Sequence, residues 1–277
     1  MKLFRQVFDF YLDASIHVAF SVVSLVYITT RFLSIPVDMH LAYFIFFSTI
    51  CCYNFIKYGV EAEKYLVMTN LYHKYIQFIS LAALAVALYH GYFLSGGIWL
   101  AIVALVGVVA LYAMPVLPKA KNLRSLGGFK IFLVALVWSG ITVALPALKL
   151  YLTMPWDLTL VFFQRFLLVL ILMLPFEIRD LKYDVPELRT LPQRFGVQPM
   201  KRLGILLVAV FFLLTFFRDE ISFLEISGRF FLSLILIMVL LITSKEQPKY
   251  FASFWVEAVP IFWLGILWGF GIILGVN

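Results

Sequence analysis

Two aspartates four residues apart, Asp180 and Asp184, close the run Phe176-Glu-Ile-Arg-Asp-Leu-Lys-Tyr-Asp184, which follows a long apolar stretch. On a helix that spacing puts both carboxylates on one face, and Glu177, three residues before Asp180, shares it. Arg179, Lys182, Arg189 and Arg194 crowd the same segment in a chain that is only 13% charged. Hard carboxylate oxygens beside several cations suit a Mg²⁺-bridged polyphosphate. A solvated charged loop is the plain alternative for such a run.

Two further clusters have chemical content. Asn54, Lys57 and Glu61 recur at helical spacing near the end of an apolar run. Polar residues in such a place face a cavity or a partner helix, or Lys57 and Glu61 form an i,i+4 ion pair that closes the helix end. Both readings stand. Tyr112 precedes Met114-Pro-Val-Leu-Pro-Lys119-Ala-Lys121, a phenol with lysines a turn or two beyond. This arrangement offers a grip on anionic oxygens, and equally an aromatic belt followed by topological lysines.

The elements that must position these residues are membrane helices. Of 277 residues 64% are hydrophobic, too many for a soluble domain. Runs of about 20 apolar residues predict nine transmembrane helices in one all-α domain, residues 1–277. They fall near Ala14–Ile35, Leu41–Val60, Ile76–Leu94, Ile98–Met114, Phe129–Leu148, Leu158–Ile178, Leu203–Phe217, Arg229–Thr243 and Phe254–Leu274. Pro146, Pro175 and Pro260 lie inside spans and should kink or shorten them. The apolar side of the amino-terminal segment (Leu3, Phe4, Val7, Phe8, Tyr11) predicts an interfacial helix, and no cleavable signal peptide is evident.

The net charge of +7 does not point to nucleic acid, because the bases lie between apolar spans rather than along one face. Counted by loop, sixteen bases fall on one side and three (Lys149, Arg218, Arg229) on the other. That bias predicts an integral protein of the plasma or inner membrane, with its amino terminus and the Asp180–Asp184 segment cytoplasmic. Adjacent Cys51 and Cys52 read as packing residues, and the four histidines lack zinc-like spacing. Arg165, inside the sixth span, should pair with a buried polar group or line a cavity.

Asp180-x-x-x-Asp184 followed by Arg189-Thr-Leu-Pro192 and Arg194-Phe-Gly196 resembles the second aspartate motif of the UbiA superfamily of intramembrane prenyltransferases. Tyr112 with Lys119, and the segment Lys130–Trp138, resemble that family's tyrosine–lysine region and the span after it. The first aspartate motif departs from the family pattern. Asn54 matches, whereas Phe55, Tyr58 and Ala62 stand at the aspartate places, and Glu61 is one residue short of the last of them.

The resemblance implies transfer of an isoprenyl group from its diphosphate to a lipophilic acceptor, aromatic or quinone-like, with Mg²⁺ assistance. It implies that Asp180 and Asp184 hold the metal and that Lys119, Lys121 and Arg194 neutralise the leaving group. Tyr112 would contact the leaving oxygen or the developing cation, and the bundle, open to membrane lipid, would hold the prenyl tail. The altered first motif leaves Asn54 and Glu61 as oxygen ligands there and implies one Mg²⁺ instead of two, with Lys57 pairing directly with phosphate. The rival expectations are a relative that binds a prenyl or lipid phosphate without transferring it, and a transporter or scaffold.

Overall fold

Each apolar run coincides with a helix in the computed structural model, which describes residues 2–59, 71–113, 128–151, 154–184 and 188–274. In chain order these are α1 (Lys2–Asp13), α2 (Ile16–Phe32), α3 (Met39–Asn54), α4 (Leu71–Gly91), α5 (Gly96–Ala113) and α6 (Phe129–Ser139). They continue with α7 (Trp156–Asp180), α8 (Leu191–Phe195), α9 (Val197–Leu213), α10 (Phe223–Ile242) and α11 (Val259–Leu274). Among the described residues seven helices are long and apolar enough to cross a bilayer, and eight if α1 and α2, bent by 54°, count as one span. That accounts for seven or eight of the nine expected spans. The run around α5 gives a shorter apolar stretch, Gly96–Ala110, and 15 residues at 1.5 Å rise reach only about 22 Å of a ~30 Å hydrocarbon core.

The helices form a ring. α2 packs on α3, α3 on α4, α5 on α6, α6 on α7, α7 on α9, α9 on α10 and α10 on α11, and α11 returns to α2. One large buried cluster joins α2, α7, α9, α10 and α11 through Leu25, Ile28, Leu168, Ile171, Phe211, Leu236 and Trp263. Close helix approach depends on small residues, as expected where lipid is as apolar as the core. A Cβ on Gly228 would lie 2.3 Å from Leu267, and one on Gly204 2.8 Å from Leu174.

Two of the prolines act through the backbone. Pro260 has no N–H for the carbonyl four residues back, and its ring crowds that carbonyl. The preceding turn, Phe251–Val256, widens to π geometry, and the Glu257 N–H donates to Ala252 O, five residues back, at 3.3 Å. Pro146 likewise follows a π turn, Gly140–Ala144, and the helix ends at Ala147. A third π turn, Phe55–Gly59, extends α3 and carries Lys57. Pro175 does not end α7, which runs on to Asp180.

α1 lies across one end of the ring with Leu3, Phe4 and Val7 exposed, as an interfacial helix should. Asp9 holds it there, accepting from Lys249 Nζ and Tyr250 Oη, each at 2.7 Å. That carboxylate raises the pKa of the Lys249 ammonium above the ordinary lysine value.

Candidate functional site

α7 ends at Asp180, and the chain turns so that the Asp184 N–H donates to Asp180 O at 2.9 Å. The backbone thus holds the two residues one turn apart, with Asp184 in the turn beyond the helix end. The Thr-Leu-Pro segment that follows is an anchor. Gln193 receives the Thr190 N–H at 2.9 Å and donates to Asp184 O at 3.3 Å. Gly196 ends α8 at φ 82°, a conformation suited to glycine, and Leu191 packs so tightly on Gly128 that a Cβ there would sit 2.6 Å from it. That contact brings the start of α6, and with it Lys130, to the aspartates.

Lys130, not singled out as a site residue from the sequence, is brought to this cluster by the fold. Its ammonium pairs with the buried Glu177 carboxylate at 2.6 Å and lies within electrostatic reach of Asp180 and Asp184. Arg179 donates through Nε to Asp180 Oδ1 at 2.9 Å and stacks over Phe176 at 5.1 Å. A partly exposed acidic pair with two cations beside it is a site for an anion and a counter-cation together. Among the described residues no three His, Cys, Asp or Glu side chains form a metal cage. Mg²⁺ asks for less, since it keeps waters and binds through one or two carboxylates plus phosphate oxygens. Asp180 and Asp184 fit that requirement.

Across the bundle end, Asn54 and Lys57 fall to different roles. Asn54 is wholly buried, and its amide is engaged inside the protein. Its Oδ1 accepts from Ser15 Oγ at 2.7 Å, and its Nδ2 donates to Ala14 O at 3.1 Å and Ser80 Oγ at 2.9 Å. It braces the corner between α1 and α2, where Ser15 has φ 59°, and ties that corner to α4. Lys57 is half exposed and pairs with Asp13 at 3.5 Å, whose carboxylate also receives Tyr72 Oη at 2.7 Å. Arg194 is exposed on α8. Glu61, Lys119 and Lys121 lie outside the described residues, as does the side chain of Tyr112.

Between these two groups opens a cavity of about 460 Å³, lined by α2, α3, α5, α6, α7 and the turn before α11. Ile56, Phe176 and Glu257 mark the end nearest Lys57 and Arg179, and Phe44, Leu105, Ile141 and Leu145 line it deeper in. Trp138 and Tyr53 face it as a pair, the indole N–H donating to the phenol at 2.8 Å. The volume falls in the range of small-molecule sites. Arg165 is buried away from it, bonded to Leu25 O, Thr142 Oγ1 and Thr29 Oγ1.

A charged rim thus lies beside an apolar cavity in a bundle of membrane helices. No protein-family profile matches the sequence, and no curated protein matches it. Solved structures do match. A UbiA homologue from Aeropyrum pernix K1, in its apo form, superposes with TM-score 0.64 at 13% identity, covering 94% of this chain and 98% of that one. A digeranylgeranylglyceryl phosphate synthase gives 0.56 at 15% identity over 97% and 98%. A UbiA homologue from Archaeoglobus fulgidus, bound to GPP and Mg²⁺, gives 0.53 at 15% identity over 94% and 98%. The resemblance read from Asp180–Gly196 is thus borne out at the level of the fold, which is that of the UbiA prenyltransferases along nearly the whole chain.

Proposed function

We propose that this protein is an intramembrane prenyltransferase that binds an isoprenyl diphosphate at the Asp180–Asp184 end and transfers the isoprenyl group to a lipophilic aromatic or quinone-like acceptor. The observation that carries the reading is the juxtaposition of that acidic pair, flanked by Arg179 and Lys130, with an apolar cavity entered past Phe176. The fold shared with a UbiA homologue bound to GPP and Mg²⁺ supports it.

In this reading Asp180 and Asp184 hold Mg²⁺, which supplies charge neutralisation to the diphosphate. Arg179 and Lys130 add fixed positive charge where negative charge grows as the carbon–oxygen bond breaks. Lys57 approaches the same anion from α3, with Lys119, Lys121, Arg194 and Tyr112 completing the basic rim and Glu61 the acidic one. Asn54 acts by holding the α1–α2 corner. The cavity excludes water from the allylic cation, and its aromatic walls at Phe44, Phe176 and Trp138 offer π faces to that charge. The loop charge bias puts this end and the amino terminus in the cytoplasm, in a bundle of nine helices with α5 as the ninth. Cysteines placed at Tyr183 and Ser222 test that by labelling from opposite sides with an impermeant reagent.

A second reading, binding of a prenyl or lipid phosphate without transfer, is favoured by one observation. With Asn54 engaged internally and Phe55 and Tyr58 at aspartate places, the α3 side offers no carboxylate among the described residues. A turnover assay with purified protein across prenyl diphosphates of increasing length, with and without Mg²⁺, separates the two. Release of diphosphate coupled to acceptor prenylation supports transfer. Saturable donor binding with no product supports the second reading, and no binding defeats both.

A further inference from the structure

His40 and His90 stand fifty residues apart in the chain and meet in the fold, Nδ1 to Nδ1 at 3.1 Å. His40 lies in the first turn of α3 and His90 in the last turn of α4, at the end of α3 away from Lys57. Both rings are partly exposed, so an ion in solution can reach them. Along the chain the histidines show no metal spacing, and the packing of α3 on α4 creates the pair.

The distance is that of two ligands on one metal. With Zn–N bonds of about 2.0–2.1 Å, neighbouring nitrogens stand about 2.9 Å apart at a right angle and about 3.3 Å at the tetrahedral angle. The observed separation lies between these. Neither Nε2 has a hydrogen-bond partner among the described residues. Each ring can therefore carry its proton at Nε2 and turn the Nδ1 lone pair inward. Two lone pairs this close repel unless a proton or a cation lies between them.

The surrounding contacts set the rings before any ion arrives. His40 packs against Phe93 at 4.3 Å between centroids, and His90 stacks on Tyr43 at 4.9 Å. Next to His90, the Gly91 carbonyl receives the Trp99 indole N–H at 2.9 Å, and a Cβ on Gly91 would lie 3.3 Å from Phe44. The end of α4 is thus locked onto α3 and α5. A site on two rigid helices holds its ligands better than one on a loop.

We propose that His40 and His90 bind a divalent transition-metal ion, Zn²⁺ or one of its class, through their Nδ1 atoms and so staple the end of α4 to that of α3. Imidazole nitrogen suits zinc, copper and nickel, whereas Mg²⁺ takes oxygen ligands. Among the described residues no third His, Cys, Asp or Glu joins the pair. Asp38, two residues before His40, is occupied by Lys149 and by the Leu41 N–H at 3.2 Å. Water completes the coordination. The site stands apart from the Asp180 cluster and from prenyl transfer.

The test is a zinc titration, in competition with a chromophoric chelator, of the full chain purified in detergent without a polyhistidine tag. Excess Mg²⁺ is present to occupy carboxylate oxygens. The parent should bind one equivalent. His40→Gln and His90→Gln should each weaken that binding by at least about tenfold, since even an outer-shell partner is worth that much. His73→Gln, changed at the other end of α4, should bind as the parent does. Zinc should raise the unfolding temperature of the parent by mass action, and at the same concentration leave that of the two pair variants unmoved. X-ray absorption of the zinc-loaded parent should show two imidazole rings around the metal, and it decides alone if the variants fail to fold. No zinc binding by the parent leaves the pair a simple hydrogen bond and overturns the proposal. Parental affinity in either pair variant, an equal loss in His73→Gln, or fewer than two imidazoles overturns it too.

Discussion

The two ends of the bundle use charge in opposite ways. At the end away from Asp180, Arg218 is nearly enclosed and donates to Asp157 Oδ2 at 3.0 Å, to Phe32 O at 3.0 Å and to Glu225. Glu225 also receives Arg229 Nη1 at 2.8 Å, and Arg229 lies over the Phe32 ring at 4.3 Å. Asp157 uses its other oxygen on the Asp219 N–H at 3.0 Å. These charges are tied to one another and to carbonyls, and none of them lines the cavity described above. At the Asp180 end Lys57, Arg179 and Asp180 are partly exposed and sit beside a cavity lined by Glu257, whose carboxyl has no partner among the described residues. A membrane protein can afford the first arrangement only for structure, since buried ions must be paired to be tolerated. The second is costly for stability and makes sense if a ligand completes it.

Three substitutions press on that contrast, in order of expected effect. Glu225→Gln leaves Arg218 and Arg229 without their shared carboxylate, and breaking a buried network of this kind costs about 3–5 kcal/mol. Thermal unfolding in detergent should fall sharply, while the surviving folded fraction binds prenyl thiodiphosphate as the parent does. A loss of affinity in that folded fraction would join the two ends functionally and break the comparison. Asp180→Asn and Asp184→Asn should do the reverse. Each should weaken Mg²⁺-dependent thiodiphosphate binding by about 1–3 kcal/mol and leave the unfolding temperature within a few degrees of the parent.

Asn54→Ala sharpens the comparison from inside the functional end. If Asn54 braces the α1–α2 corner, the variant should lose about 1–3 kcal/mol of stability and keep donor affinity when folded. A selective loss of affinity would return Asn54 to the ligand. The smallest effect belongs to the α1 tether. The Lys249 pKa is raised by Asp9, so its share of the tether is full below the ordinary lysine range and is lost as pH rises through the raised value. Hydrogen exchange of residues 2–13, corrected for intrinsic rate, should therefore be flat through neutral pH and quicken only in strong alkali.

The helices were legible because a bilayer demands long apolar runs, and each predicted run is a helix. The spacing of Asp180 and Asp184 was legible along the chain, but not that α7 ends at Asp180 and leaves Asp184 in the turn beyond it. What could not be read locally was every pairing that closes through space. Lys57 joins Asp13, forty-four residues away, and not a neighbour on its own helix within the described residues. Lys130 meets Glu177 because α6 packs along α7, with Leu191 seated on Gly128 at the start of α6. Glu257 gave one faint signal, an acid three residues before a proline in an otherwise apolar run. Asn54 matched a motif and is bonded to Ser15, Ala14 and Ser80, contacts that no pattern along the chain announces.

In the proposed function the Asp180 end is completed by a metal-bridged prenyl diphosphate. The most direct measurement is calorimetric titration of a prenyl thiodiphosphate into the parent protein and the Asp180→Asn/Asp184→Asn double variant, each with Mg²⁺ and with chelator. The parent should bind saturably, and more weakly on chelation. In the double variant binding should be weak, with no further loss when the metal is removed. Equal affinity in all four titrations, with both proteins folded, would contradict it.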